Sequence, residues 1–325
     1  NRVLERRGRV ILKAVDGVDL AIRKGETLGL VGESGCGKST VARLIVGLYG
    51  PTHGTIAYDG VAIAGEGATT DARALRQARR GMQMIFQDPY ASLNPRWRVA
   101  DIVAEPIVSQ APRTGRAEVA ARVAALLDQV GLAAADGAKY PHQFSGGQRQ
   151  RISIARALST QPSFLVCDEP TSALDVSVQA QVLNLMRDLQ RRMALTYLFI
   201  SHNLAVVHHI ADRVGVMYLG RIVELAPTRE LFASPQHPYT RMLLDAVPDL
   251  EMTGEARIAV AGEVPNPLDP PSGCTFHPRC PHADARCRAE SPALRPVGEG
   301  RQGAVACHAV AEGRLPPRAM PVAVR

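Results

Sequence analysis

The chain has 325 residues, a net charge of +7 and apolar side chains at 46% of positions, enough for one substantial core and an appendage. No run approaches the ~18 consecutive apolar residues of a membrane span, and no apolar signal segment follows the basic N-terminus. Basic residues are scattered and aromatics make up only 4% of the chain, with no basic–aromatic cluster, which argues against a nucleic-acid partner.

The first legible element is an apolar strand at residues 27–31, followed by Gly32-Glu33-Ser34-Gly35-Cys36-Gly37-Lys38-Ser39 and a helix-like run at 40–46 that opens on Thr40. This fits G-x-x-x-x-G-K-S/T at every fixed position and in the required strand–loop–helix context. Glycines let the backbone turn its amides inward onto phosphates. Lys38 is then expected on the β- and γ-phosphates, and Ser39 on Mg²⁺. A second strand, 82–86, ends at Gln87, and residues 89–157 read as largely helical, with Val119, Val123, Leu126, Leu127 and Val130 on one face.

Within that stretch Ser145-Gly146-Gly147-Gln148 precedes a helical pattern at 150–159. A hydroxyl and bare N–H groups at a helix start can hold an anion. The chain already has one complete cradle upstream, so this second device suggests an ATP shared between two subunits. Residues 164–167 form a buried strand that ends in Asp168-Glu169. Carboxylates at the end of a central strand are costly unless they meet a cation or orient water. Asp168 is expected to hold Mg²⁺ indirectly and Glu169 to polarise the attacking water. An apolar stripe follows (Val178, Val182, Leu185, Met186, Leu189), then a strand at 196–201 ending in His202, placed to reach the γ-phosphate.

After residue 227 proline becomes frequent and periodicity fades. Cys274, Cys280, Cys287 and Cys307 fall within 34 residues, spaced C-x5-C-x6-C-x19-C. In a reduced compartment clustered thiols favour a metal centre over disulfides, though this spacing lacks the short pair usual for structural zinc. His277, His282 and His308 are alternative ligands. Cys36 and Cys167 read as reduced core residues.

Taken in order, these motifs resemble the nucleotide-binding subunit of an ABC transporter. Residues 32–39 match its Walker A, Gln87 its Q-loop and Ser145–Gln148 its signature. Leu165 to Asp168 match Walker B, Glu169 the catalytic glutamate, Ser172-Ala173-Leu174-Asp175 the D-loop and His202 the switch histidine. The resemblance implies an α/β fold: an ABC-type P-loop NTPase with a RecA-like core, an antiparallel β subdomain and a helical subdomain at about 89–157. Its expected span is 1–227, with a C-terminal, loop-rich, Cys-containing extension at 228–325. It also implies that subunits pair head to tail, so the signature of one chain caps the ATP of the other. Mg²⁺ is expected on Ser39, Gln87 and Asp168. The family's usual aromatic residue on adenine is missing, since no aromatic precedes Tyr49. Either a side chain such as Arg9 substitutes or a preceding segment carries it.

Residues 87–96 (QDPYASLNPR), 237–240 (HPYT), 172–181 (SALDVSVQAQ) and 271–281 (PSGCTFHPRCP) resemble the dipeptide/oligopeptide importer ATPases, in particular their F-type subunit. That resemblance implies a D-type ATP-binding partner, two transmembrane permeases, an extracytoplasmic substrate-binding protein and a place on the cytoplasmic face of the inner membrane. It also implies a [4Fe–4S] cluster on the four C-terminal cysteines, with Zn²⁺ as the alternative. A nickel, glutathione or other small-solute importer is the nearest rival. Non-transport ABC ATPases fit less well, because the chain has one Walker A, one signature and no coiled-coil interruption.

Overall fold

Apolar runs without polar alternation mark strands covered on both faces. Thr27–Val31, Phe164–Asp168 and Thr196–Ile200 are such strands, and every residue in them is buried. Each stops within a residue of where the sequence pattern ends it. A computed structural model describes residues 2–5, 8–246, 262–298 and 301–315, with side chains from residue 11 onward. The Arg9 side chain therefore lies outside the described part.

The chain divides into two units, the first made of residues 1–21, 27–41 and 201–325 and the second of 22–26 and 42–200. In the first unit Thr27–Val31 runs parallel to Arg213–Tyr218, with Leu28 opposite Arg213 and Val31 opposite Val216. Leu219 and Gly220, at φ 40° and 81°, turn that strand into antiparallel Arg221–Pro227. Two left-handed residues in a two-residue loop match the twist of the strands they join. Ala304–Val305 then pairs with Arg221–Pro227, and Arg295–Pro296 with Ala304–Val305. Segments beyond residue 227 thus add strands to the sheet that leads into the glycine loop.

In the second unit Met82–Ile85, Phe164–Asp168 and Thr196–Ile200 lie side by side in parallel. A separate hairpin joins Thr55–Tyr58 to Val61–Gly65. Between the first two parallel strands come the helices Pro89–Ser92, Val99–Gln110, Arg116–Gln129 and Gly146–Leu158. Val123, Leu126, Leu127 and Val130 are buried, as their helical spacing predicts. Helix Val176–Met193 is capped by the Asp175 carboxylate, which accepts from the Val178 N–H, and it buries Val182, Met186 and Leu189. Among the described residues no helix is long and apolar enough to cross a membrane.

Candidate active site

The glycine loop belongs to the first unit. Strand Thr27–Val31 delivers the chain to Gly32 at φ 153°, where a Cβ would stand 2.1 Å from the Met217 carbonyl oxygen. At Gly37, φ 111°, a Cβ would stand 2.2 Å from the Ala14 carbonyl oxygen. Both contacts are with backbone, so neither site can yield to a side chain. The loop feeds helix Lys38–Ile45, with the N–H groups of Thr40 and Val41 both bonded to the Gly37 carbonyl at 3.0 Å. Lys38 is 5% exposed, and its ammonium donates to the carbonyls of Gly32 at 2.7 Å and Glu33 at 3.0 Å. A buried cation resting on loop carbonyls is a charge placed for an anion. Burial pushes the neighbouring Cys36 thiol up, keeping it protonated despite Lys38. His202 is exposed, one residue past Ser201, whose N–H donates to the Leu30 carbonyl at 3.2 Å.

The carboxylates belong to the second unit. Asp168 closes the buried strand at 3% exposure. Glu169 follows at φ 45°, a left-handed conformation costly for a non-glycine residue. It is held there by its N–H on the Ile200 carbonyl at 3.0 Å and by the Ser172 N–H and hydroxyl on its own carbonyl, at 3.2 and 3.1 Å. The Gln87 side-chain amide donates to the Glu169 carboxylate at 3.0 Å. Gln87 and Glu169, 82 positions apart, are therefore brought together.

Ser145 is the N-cap of helix Gly146–Leu158. Its hydroxyl accepts from the Gln148 N–H at 3.4 Å while the Gln148 side chain accepts from the Ser145 N–H at 3.0 Å, a reciprocal capping box. Gly147 has a packing role that the sequence did not reveal: a Cβ there would stand 2.3 Å from Val178 Cγ1. Arg149, also missed, is buried on the same helix. It donates to the carbonyls of Pro141 at 2.7 Å and His142 at 3.3 Å, and lies 3.8 Å over the Tyr90 ring. The stretch QDPYASLNPR stands out as a motif, but nothing in it signals a partner about sixty positions away.

Comparison with known proteins decides the family. The model of the ABC transporter family matches residues 15–172, and that of the oligopeptide/dipeptide transporter C-terminal region matches 223–287. The di/tripeptide transport ATP-binding protein DppF of Pseudomonas aeruginosa is 52% identical over 93% of this chain and 91% of its own length. The oligopeptide transport ATP-binding protein OppF of Salmonella typhimurium is 52% identical over 91% of this chain and 87% of its own. The chain belongs to the ABC transporter ATP-binding family. The dimeric structure of a bacterial ABC transporter cassette superposes with a TM-score of 0.61 at 26% identity, over 70% of this chain and 95% of that one. The fold is thus the ABC ATPase cassette, and the activity is ATP hydrolysis coupled to transport.

This ABC ATPase also carries thiols in its first unit. All six cysteines are free. Among the described residues no three His, Cys, Asp or Glu side chains are grouped to hold a single metal ion. Even so, the C-terminal thiols act on one another. Burial pushes Cys274 up to about 11, and Cys287 and Cys307 push the same way. Burial pushes Cys280 up to about 11 as well, with Cys307, Cys274 and Cys287 adding to it. The Cys274 N–H donates to the Cys287 carbonyl at 2.8 Å. The ring nitrogens of His277 and His308 sit 3.0 Å from the carbonyls of Cys274 and Glu290 respectively.

Proposed function

We propose that this chain hydrolyses MgATP to power uptake of di- and oligopeptides. The observation that carries the reading is the joint presence, in one chain, of the glycine-only cradle with its buried Lys38, the Gln87–Glu169 contact and an oligopeptide-type C-terminal region at 223–287. In this reading the backbone of residues 32–40 and Lys38 take the phosphates. Ser39, Gln87 and Asp168 are hard oxygen donors suited to Mg²⁺, which when bound draws charge from the phosphates. A carboxylate buried at a strand end, as Asp168 is, fits a cation. Glu169 accepts the proton of the attacking water, and His202 answers to the γ-phosphate. Ser145, Gly146, Gly147 and Gln148 close over ATP held by a second, D-type subunit. Two transmembrane permeases and an extracytoplasmic binding protein complete the assembly, with this chain at the cytoplasmic face of the membrane.

The four C-terminal thiols are assigned to a [4Fe–4S] cluster. Four cysteine thiolates from one chain suit such a cluster chemically. Anaerobic purification with iron and sulfide assays tests it; stoichiometric zinc without visible absorbance overturns it. The transport reading is tested in the reconstituted importer, where peptides presented by the binding protein should stimulate ATP hydrolysis. Stimulation by nickel or glutathione instead would reassign the solute.

A further inference from the structure

Residue 33 occupies a variable position of the cradle, where the phosphate-binding pattern asks nothing of the side chain. Every polar group of Glu33 nevertheless has a partner. Its carboxylate takes both arms of the Arg279 guanidinium, at 2.7 and 3.0 Å. Its N–H donates to the Tyr239 hydroxyl at 2.9 Å. Its carbonyl accepts from the Lys38 ammonium at 3.0 Å and from the Cys36 N–H at 3.3 Å. Arg279 and Tyr239 are 246 and 206 positions away and come from the region beyond residue 227. Both are fixed in their own right. The Arg279 side chain is 2% exposed and lies 5.9 Å over the Phe276 ring. Tyr239 is fully buried, with its ring 4.7 Å from Tyr218 and 5.4 Å from Phe276. A forked arginine–carboxylate pair fixes direction as well as distance.

We propose that Arg279 and Tyr239 are positioning residues for nucleotide binding: they hold Glu33, and with it the path of the phosphate loop, so that the cradle is formed before ATP arrives. The Lys38 ammonium donates to the carbonyls of Gly32 and Glu33, and a Lys38 that engages a phosphate leaves the Arg279 and Tyr239 contacts to Glu33 in place. Without them, ordering the loop becomes part of the cost of binding. The C-terminal region therefore acts on the cradle as a second layer of the nucleotide site.

This inference rests on the reading of residues 32–40 as the ATP cradle, and the test separates the two. Equilibrium binding of AMP-PNP with Mg²⁺ is measured on the full chain and its variants. Arg279→Gln and Glu33→Gln should each weaken binding about tenfold, the effect of one lost charge-assisted contact, and the double variant should be no weaker than either single one. Arg279→Lys, which keeps the charge but loses the fork, should recover part of the affinity. Tyr239→Phe removes one hydroxyl and should weaken binding about threefold. Lowered melting temperatures with unchanged AMP-PNP affinity would make the pair a mere fastening of the C-terminal region and overturn the proposal. If Arg279→Gln does not fold, unchanged affinity in Tyr239→Phe overturns it equally. Wild-type binding in Lys38→Ala would instead remove the cradle reading itself.

Discussion

Glu169 combines a left-handed backbone, a carboxylate receiving the Gln87 amide at 3.0 Å and a buried Asp168 beside it. Glu169→Gln keeps an oxygen for Gln87 to donate to and removes only the proton acceptor. Hydrolysis should fall at least about a hundredfold, the ordinary contribution of a general base, while ATP stays bound. Phosphate release measured alongside nucleotide retention checks this, and near-normal turnover would strip Glu169 of the role. Gly37→Ala addresses the cradle instead. Its Cβ would meet the Ala14 carbonyl oxygen at 2.2 Å on a backbone already at φ 111°, so ATP affinity should be lost with little recourse to relaxation. Lys38, Ser39 and the glycines can be singled out in the sequence because phosphate chemistry imposes fixed types at fixed spacing. Glu33 cannot, because its partners are 206 and 246 positions away and no local pattern encodes a contact of that range.

Between elements, the demands are of packing and capping. Helix Gly146–Leu158 meets helix Val176–Met193 where a Cβ on Gly147 would stand 2.3 Å from Val178 Cγ1. Gly147→Ala should therefore cost about 1–3 kcal/mol of stability through overpacking. Adding Val178→Ala should return that loss in a denaturant melt; failure to recover would show that the cost arises elsewhere. The local pattern marks this glycine for a phosphate role and is silent on packing, since helical periodicity marks faces and not which neighbour approaches them. Helix Pro238–Asp245 supplies a pH test. His237 caps it, its Nδ1 accepting the Tyr239 N–H at 3.0 Å, and burial pushes the imidazole down to about 3. The unfolded imidazole titrates near 6.5, so below that pH the unfolded chain binds one more proton than the folded one. Stability should fall as pH drops from about 6.5 towards 3, by up to ~1.4 kcal/mol per unit. His237→Asn keeps a capping acceptor and should flatten that slope. Glu224, whose carboxylate accepts the His237 N–H and which burial pushes up, is common to both proteins and drops out of the difference.

For the whole molecule, the question is which ATP each phosphate device serves. The order of the motifs was legible throughout, whereas pairing is not, because a contact with a second chain leaves no pattern within this one. The capping box at Ser145 satisfies its own backbone within helix Gly146–Leu158, so the helix start holds its shape without a phosphate. In the proposed head-to-tail arrangement it waits for the neighbour's nucleotide, and loss of the Lys38 ammonium and loss of the Ser145 hydroxyl should have opposite signatures in the assembled importer. Photolabelling with azido-ATP should fail on this chain in Lys38→Ala and persist on it in Ser145→Ala. The proposed D-type subunit should keep its label in both variants, yet its hydrolysis should fall in Ser145→Ala if this chain supplies the donor to the developing charge. The Ser145→Ala chain itself should lose only about 1 kcal/mol of stability, the usual value of such a cap. Loss of this chain's own label in Ser145→Ala would place the signature on its own ATP and end the paired reading.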